Sequence, residues 1–169
     1  RNAMFVECID MVLAIWSGAA PYDLKGNYYE VSTRNTMIAE IGQGTILKPY
    51  QAPHPPIVGT VVAPYSKGVT EMAKRGWDPI SANFLLPKWV QTHWPKYVEG
   101  CQACGRAAEP ENWRVAKSVF VADDAATAQR YGKSPEGPYH FYYSQLLRKL
   151  VSFGGRSNLF KESAEQPDA

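Results

Sequence analysis

The chain has 169 residues, 45% of them hydrophobic and 12% aromatic, which is enough to bury a core and too apolar for a disordered segment. Eighteen basic side chains against sixteen acidic ones leave a formal charge of +2, spread along the chain, so neither nucleic acid nor an anionic membrane is expected as a partner. No apolar run approaches the ~20 residues of a membrane-spanning helix, the Arg1 end lacks a signal-peptide layout, and three cysteines suit a reducing compartment, so a cytoplasmic protein is expected.

In chain order, Phe5, Ile9, Val12, Leu13 and Trp16 recur at helical spacing, which predicts a helix over 3–16 stopped by Gly18 and Pro21. Tyr22 to Pro49 mixes turn glycines with tyrosines and threonines and reads as a loop with a hairpin. Ile57 to Val62 is a short β-branched run without polar alternation, the pattern of a strand covered on both faces in a parallel sheet. A helix is expected over 66–75, a second strand over 79–86, and a second helix over 88–104 ended by Gly105. Trp113 to Ala122 reads as a third strand, Asp123 as the cap of a helix over 124–131, and Tyr139 to Val151 as an aromatic-rich helix before a polar tail from Gly154.

Strands alternating with helices imply right-handed crossovers and a parallel sheet. In such sheets ligands sit beyond the carboxyl ends of the strands, where a turn into a helix offers free backbone N–H groups to an anion. The turn from Gly59 through Thr60, Val61, Ala63 and Ser66 is built of small or hydroxyl-bearing residues, and Lys67 adds charge. Either backbone approaches a phosphate there, or Gly59 serves packing and Ser66 is an ordinary cap. Cys101 and Cys104 form a CxxC without a second ligand pair, so no metal site is expected and a structural role is favoured. His54 and His93 read as structural, whereas His140, among Tyr139, Phe141, Tyr142 and Tyr143, suits either aromatic packing or a pocket acid or base. No GxSxG, HExxH, GxGxxG or Walker loop occurs.

The order RNAMFVECIDMVLAIWSG, LKGNYYEV, LKPYQAPHPPIVGTVVAP and AKRGWDPIS resembles the middle of bacterial luciferase-like flavin monooxygenases, nearest to the limonene-monooxygenase-like branch. The resemblance runs from Arg1 to about Tyr131 and is most specific over Lys48 to Gly76. It implies an α/β fold, a partial TIM (β/α)8 barrel running from the fourth helix to the seventh strand, whereas a full barrel takes about 250 residues. The expected layout is one domain over 1–169: a helix over 1–17, a loop and hairpin over 18–52, a βαβαβα core over 53–131, and an aromatic helix with a tail over 132–169.

By resemblance, the parent enzyme uses reduced FMN and O2 to insert one oxygen atom into an apolar organic substrate, with a flavin reductase as partner and a homo-oligomer as assembly. The deazaflavin F420 is the alternative cofactor, and a non-catalytic half-barrel assembly module the alternative function. Gly59, Thr60, Val61, Ala63 and Ser66 would contact the cofactor, and Ser81, Asn83 and His140 would face the substrate, His140 being the one candidate acid or base in the chain. Ala63 departs from the family's commoner serine, which removes a side-chain bond to phosphate at that position.

Overall fold

A computed structural model describes residues 2–152. The chain divides into two compact units, with the boundary between Pro56 and Ile57. The polar tail from Gly154, expected from sequence, lies outside the described residues.

The first unit holds helix α1 (Asn2–Ser17) and an antiparallel pair, β1 (Asp23–Lys25) and β2 (Glu30–Ser32), with Leu24 opposite Val31. The turn between the strands is fastened to the helix by one side chain: the Glu7 carboxylate accepts the backbone N–H groups of Asn27, Tyr28 and Tyr29 at 2.9, 2.8 and 3.0 Å. Lys48 donates to the carbonyls of Ile15 and Gly18 at the carboxyl end of α1, where the helix dipole favours a cation.

The second unit is a parallel sheet with helices on one face. Strands β3 (Val58–Val61), β4 (Asp78–Ser81) and β5 (Arg114–Val115) pair in that order, with Thr60 opposite Ile80 and Ile80 opposite Arg114. Between them run α2 (Lys67–Lys74), then the short α3 (Pro87–Val90) and α4 (His93–Ala103). The core gathers Val61 from β3, Val69 and Ala73 from α2, and Tyr97 and Cys101 from α4, all 2% exposed or less. α2 and α4 touch closely because position 100 is glycine: a Cβ there would sit 2.4 Å from the Thr70 carbonyl oxygen. Helices α5 (Ala125–Lys133) and α6 (Pro138–Ser152) follow.

Five expectations change. The strand foreseen over 79–86 ends at Ser81, where a turn closed by the Leu85 N–H on the Ala82 carbonyl begins. The helix foreseen over 88–104 is interrupted at Gln91 and Thr92 because Pro95 lacks an N–H and is tolerated only in a first turn, so α4 starts afresh at His93. The third strand stops at Val115, and Val119, Phe120 and Val121 beyond it are exposed. The cap of α5 is Asp124, not Asp123: its carboxylate accepts the Thr127 backbone N–H at 2.8 Å, the three-residue reach that a cap requires. Finally, β3 is covered on one face only. Its Gly59 and Val61 face the helices, whereas Val58 and Val62 are 38% and 47% exposed.

Candidate functional site at the carboxyl end of the sheet

The loop from β3 into α2 is held at two points by the segment joining α3 to α4. His93 is fully buried, and its Nε2 lies 2.9 Å from the Ala63 carbonyl oxygen while its Nδ1 lies 2.8 Å from Ser81 Oγ. A carbonyl only accepts, so Nε2 carries the proton and Nδ1 accepts from the Ser81 hydroxyl. Ser81 Oγ in turn accepts from Trp113 Nε1–H at 3.0 Å, so every polar atom of the chain is used. Burial holds His93 below its ordinary value of 6.5, against the opposing pull of the Ala63 bond, and the ring is neutral. The second point is Tyr65, whose backbone N–H donates to Thr92 Oγ1 at 2.8 Å. Tyr65 has φ +51°, a left-handed conformation that a bulky residue adopts only when its surroundings impose it.

Past this loop, α2 begins without a side-chain cap. Ser66 occupies the cap position, yet its hydroxyl does not bond back to the helix. A Cβ on Gly68 would meet only Ser66 Oγ, at 3.2 Å, so the first turn is open to a close approach. Lys67 stands exposed between them. An uncapped helix start with a free hydroxyl, a lysine and a glycine fits a phosphate group.

Of the residues expected to contact a cofactor, Thr60 is exposed on the open face of β3 and Ser66 stands at the helix start. Gly59 and Val61 turn the other way. A Cβ on Gly59 would lie 2.1 Å from Met72 Sδ, so the absence of a side chain there serves strand-to-helix packing, and Val61 is core. Ala63 takes part through its carbonyl, which His93 already occupies.

Ser81, expected in a substrate pocket, is fully buried with its hydroxyl saturated and is unavailable to a substrate. Asn83 does sit at the rim: its Nδ2 lies 3.4 Å from Ser118 Oγ, which is 2.9 Å from the Tyr143 hydroxyl. His140 lines a cleft of about 490 Å³ together with Tyr139 and Tyr143. Tyr65, Thr92, Trp113 and Ser118 escaped the sequence reading, and only the left-handed Tyr65 leaves a mark that backbone geometry could have revealed.

Solved structures carry the same architecture. One is the FMN-bound oxygenating constituent of 3,6-diketocamphane monooxygenase, a type II Baeyer-Villiger monooxygenase from Pseudomonas putida. It matches with a TM-score of 0.70 at 22% identity over 90% of this chain and 41% of its own. A monooxygenase from Streptomyces bottropensis matches with a TM-score of 0.65 at 17% identity over 90% of this chain and 42% of its own. The chain has the fold of these monooxygenases. It spans about two fifths of their length. No protein-family model and no curated protein matches. At the level of fold, the luciferase-like monooxygenase resemblance of the sequence and these structural matches agree.

Among the described residues of this monooxygenase-like fold, no three His, Cys, Asp or Glu side chains gather to hold a metal ion, and no helix is long and apolar enough to cross a membrane. Cys101 and Cys104 are free thiols, the first buried and 3.4 Å from an Arg106 nitrogen.

Proposed function

We propose that the chain forms part of a flavin-dependent monooxygenase that oxidises an apolar organic substrate with reduced FMN and O2, reduced flavin being delivered by a separate reductase. The observation that carries this reading is the uncapped start of α2, with Ser66, Lys67 and Gly68 at the carboxyl end of β3, in a fold shared with an FMN-bound monooxygenase.

In this reading Ser66 donates its hydroxyl to the flavin phosphate, Lys67 balances the charge, and the free N–H groups of the first turn complete the grip. When bound, reduced FMN supplies the electrons that activate oxygen. Thr60, exposed on the same face of β3, would be available to the ring system, and Val58 and Val62 would supply an apolar wall for the substrate. His93 positions the loop. Both of its ring nitrogens are engaged, so it does not exchange protons with substrate. In this reading the 169 residues alone do not turn over, since they span about two fifths of the matched structures.

The test is a flavin titration followed by fluorescence quenching. FMN is expected to bind more tightly than riboflavin, which lacks the phosphate, and more tightly than the deazaflavin F420. Lys67→Gln should weaken FMN by about tenfold, the size of one charge-assisted contact, and leave riboflavin unchanged. Equal affinity for FMN and riboflavin would refute the phosphate assignment.

A further inference from the structure

The cleft between the end of α5 and the face of α6 is lined by Lys133, Tyr139, His140, Tyr143, Leu147 and Arg148 among its nine lining residues, and none of the nine is acidic. Its volume of about 490 Å³ lies within the range of small-molecule sites. Neither Lys133 nor Arg148 forms an ion pair or hydrogen bond among the described residues. Several other cations of the second unit have carboxylates: Lys74 pairs with Glu71, Lys96 with Glu99, and Arg106 with Asp78. Two unpaired cations sharing one concavity repel each other and attract an anion.

The rest of the wall is aromatic and aliphatic. The Tyr139 and Tyr143 rings lie 4.6 Å apart between centroids, and Leu147 continues the surface one turn along α6. Burial, and then the neighbouring Tyr143, push the Tyr139 phenol up, so it stays a neutral hydrogen-bond donor. The wall is anchored at the rim of the sheet through the Tyr143 hydroxyl, Ser118 and Asn83.

We propose that this cleft binds a small organic anion, a carboxylate or phosphate monoester carried on a ring-sized apolar body, with Lys133 and Arg148 on the charged head and the tyrosines and Leu147 on the body. The site goes beyond the flavin reading, since it shares no residue with the start of α2.

Isothermal titration calorimetry on the 169-residue chain at low salt tests it with benzoate, phenyl phosphate, inorganic phosphate and benzyl alcohol. Benzoate or phenyl phosphate should bind at least about tenfold more tightly than inorganic phosphate, which lacks the body, and than benzyl alcohol, which lacks the charge. Whichever of the two organic anions binds more tightly identifies the head group. Lys133→Gln and Arg148→Gln should each weaken it about tenfold without changing the melting temperature, because both side chains are exposed and unpaired in the described structure. FMN that displaces phenyl phosphate where riboflavin does not would make the cofactor's phosphate the occupant, upholding the anion site and refuting the phosphate role of Ser66. Binding unaltered in both variants, benzyl alcohol binding as tightly as benzoate, or no heat from either organic anion at about 10 mM would overturn the proposal.

Discussion

The two ends of β4 solve different problems with different chemistry. At its amino end Asp78 is 8% exposed and accepts from the Tyr97 hydroxyl at 3.1 Å and from Arg106 at 3.2 Å, with Arg114 3.7 Å away. Arg106 also donates to the carbonyls of Gly76 and Trp77, closing that end with a charged knot. At the carboxyl end, three residues on, Ser81 joins a neutral chain from Trp113 to His93 to Ala63. The charged knot holds elements together. The neutral chain holds one loop in one place, and just beyond it stand groups without a partner among the described residues: the Ser66 hydroxyl and the start of α2. Charged pairing closes one end of these strands, and the groups proposed to receive a ligand stand at the other.

The comparison breaks most visibly at Asp78. Asp78→Ala would leave the buried Tyr97 hydroxyl without its acceptor and the half-buried Arg106 without its carboxylate, and truncating one partner of such a charged pair costs about 3 kcal/mol. Urea unfolding should register the loss as a lower midpoint with an unchanged slope. A change under about 1 kcal/mol would mean that solvent screens this end, since exposed pairs contribute no more than that.

Ser81→Ala should cost less, about 2 kcal/mol, because the groups stranded at His93 Nδ1 and Trp113 Nε1 are neutral. The same chain predicts a pH response. The folded His93 titrates below 6.5 and its unfolded form near it, so the unfolded chain takes up the proton first. Stability from this group is therefore whole above about pH 7.5 and falls as pH drops through 6.5 toward the folded value. His93→Gln should flatten the unfolding midpoint between about pH 7.5 and pH 5 relative to the parent chain. A parallel pH dependence in both proteins would show that His93 is not held neutral.

The order of elements was legible because period and breakers are local: the β-branched run at Ile57 and the alternation with helices led to a parallel sheet. Facing was not legible. Gly59 and Thr60 are adjacent and both small, yet one abuts Met72 and the other is open, and only strand register decides which. Ser81 looked free because its acceptor, His93, and its donor, Trp113, lie 12 and 32 residues away. The helix break is legible at Pro95, which lacks the N–H a helix interior needs, although the apolar spacing around it continues. The cleft cations could not be picked from the chain at all, since lacking a partner is a property of three dimensions.

The smallest stability effect sharpens the comparison furthest. Ser66→Ala removes a hydroxyl that makes no capping bond, so the usual cost of losing a serine cap should be absent and the unfolding midpoint should move by less than about 0.5 kcal/mol. If that hydroxyl is kept for a ligand, FMN affinity should fall several-fold in the same variant while riboflavin affinity holds, separating function from stability at a single atom. A full cap penalty of about 1 kcal/mol with unaltered FMN binding would place Ser66 with the structural residues of the other end. The carboxyl rim would then keep only Lys67 and the first-turn N–H groups of α2 to receive a phosphate.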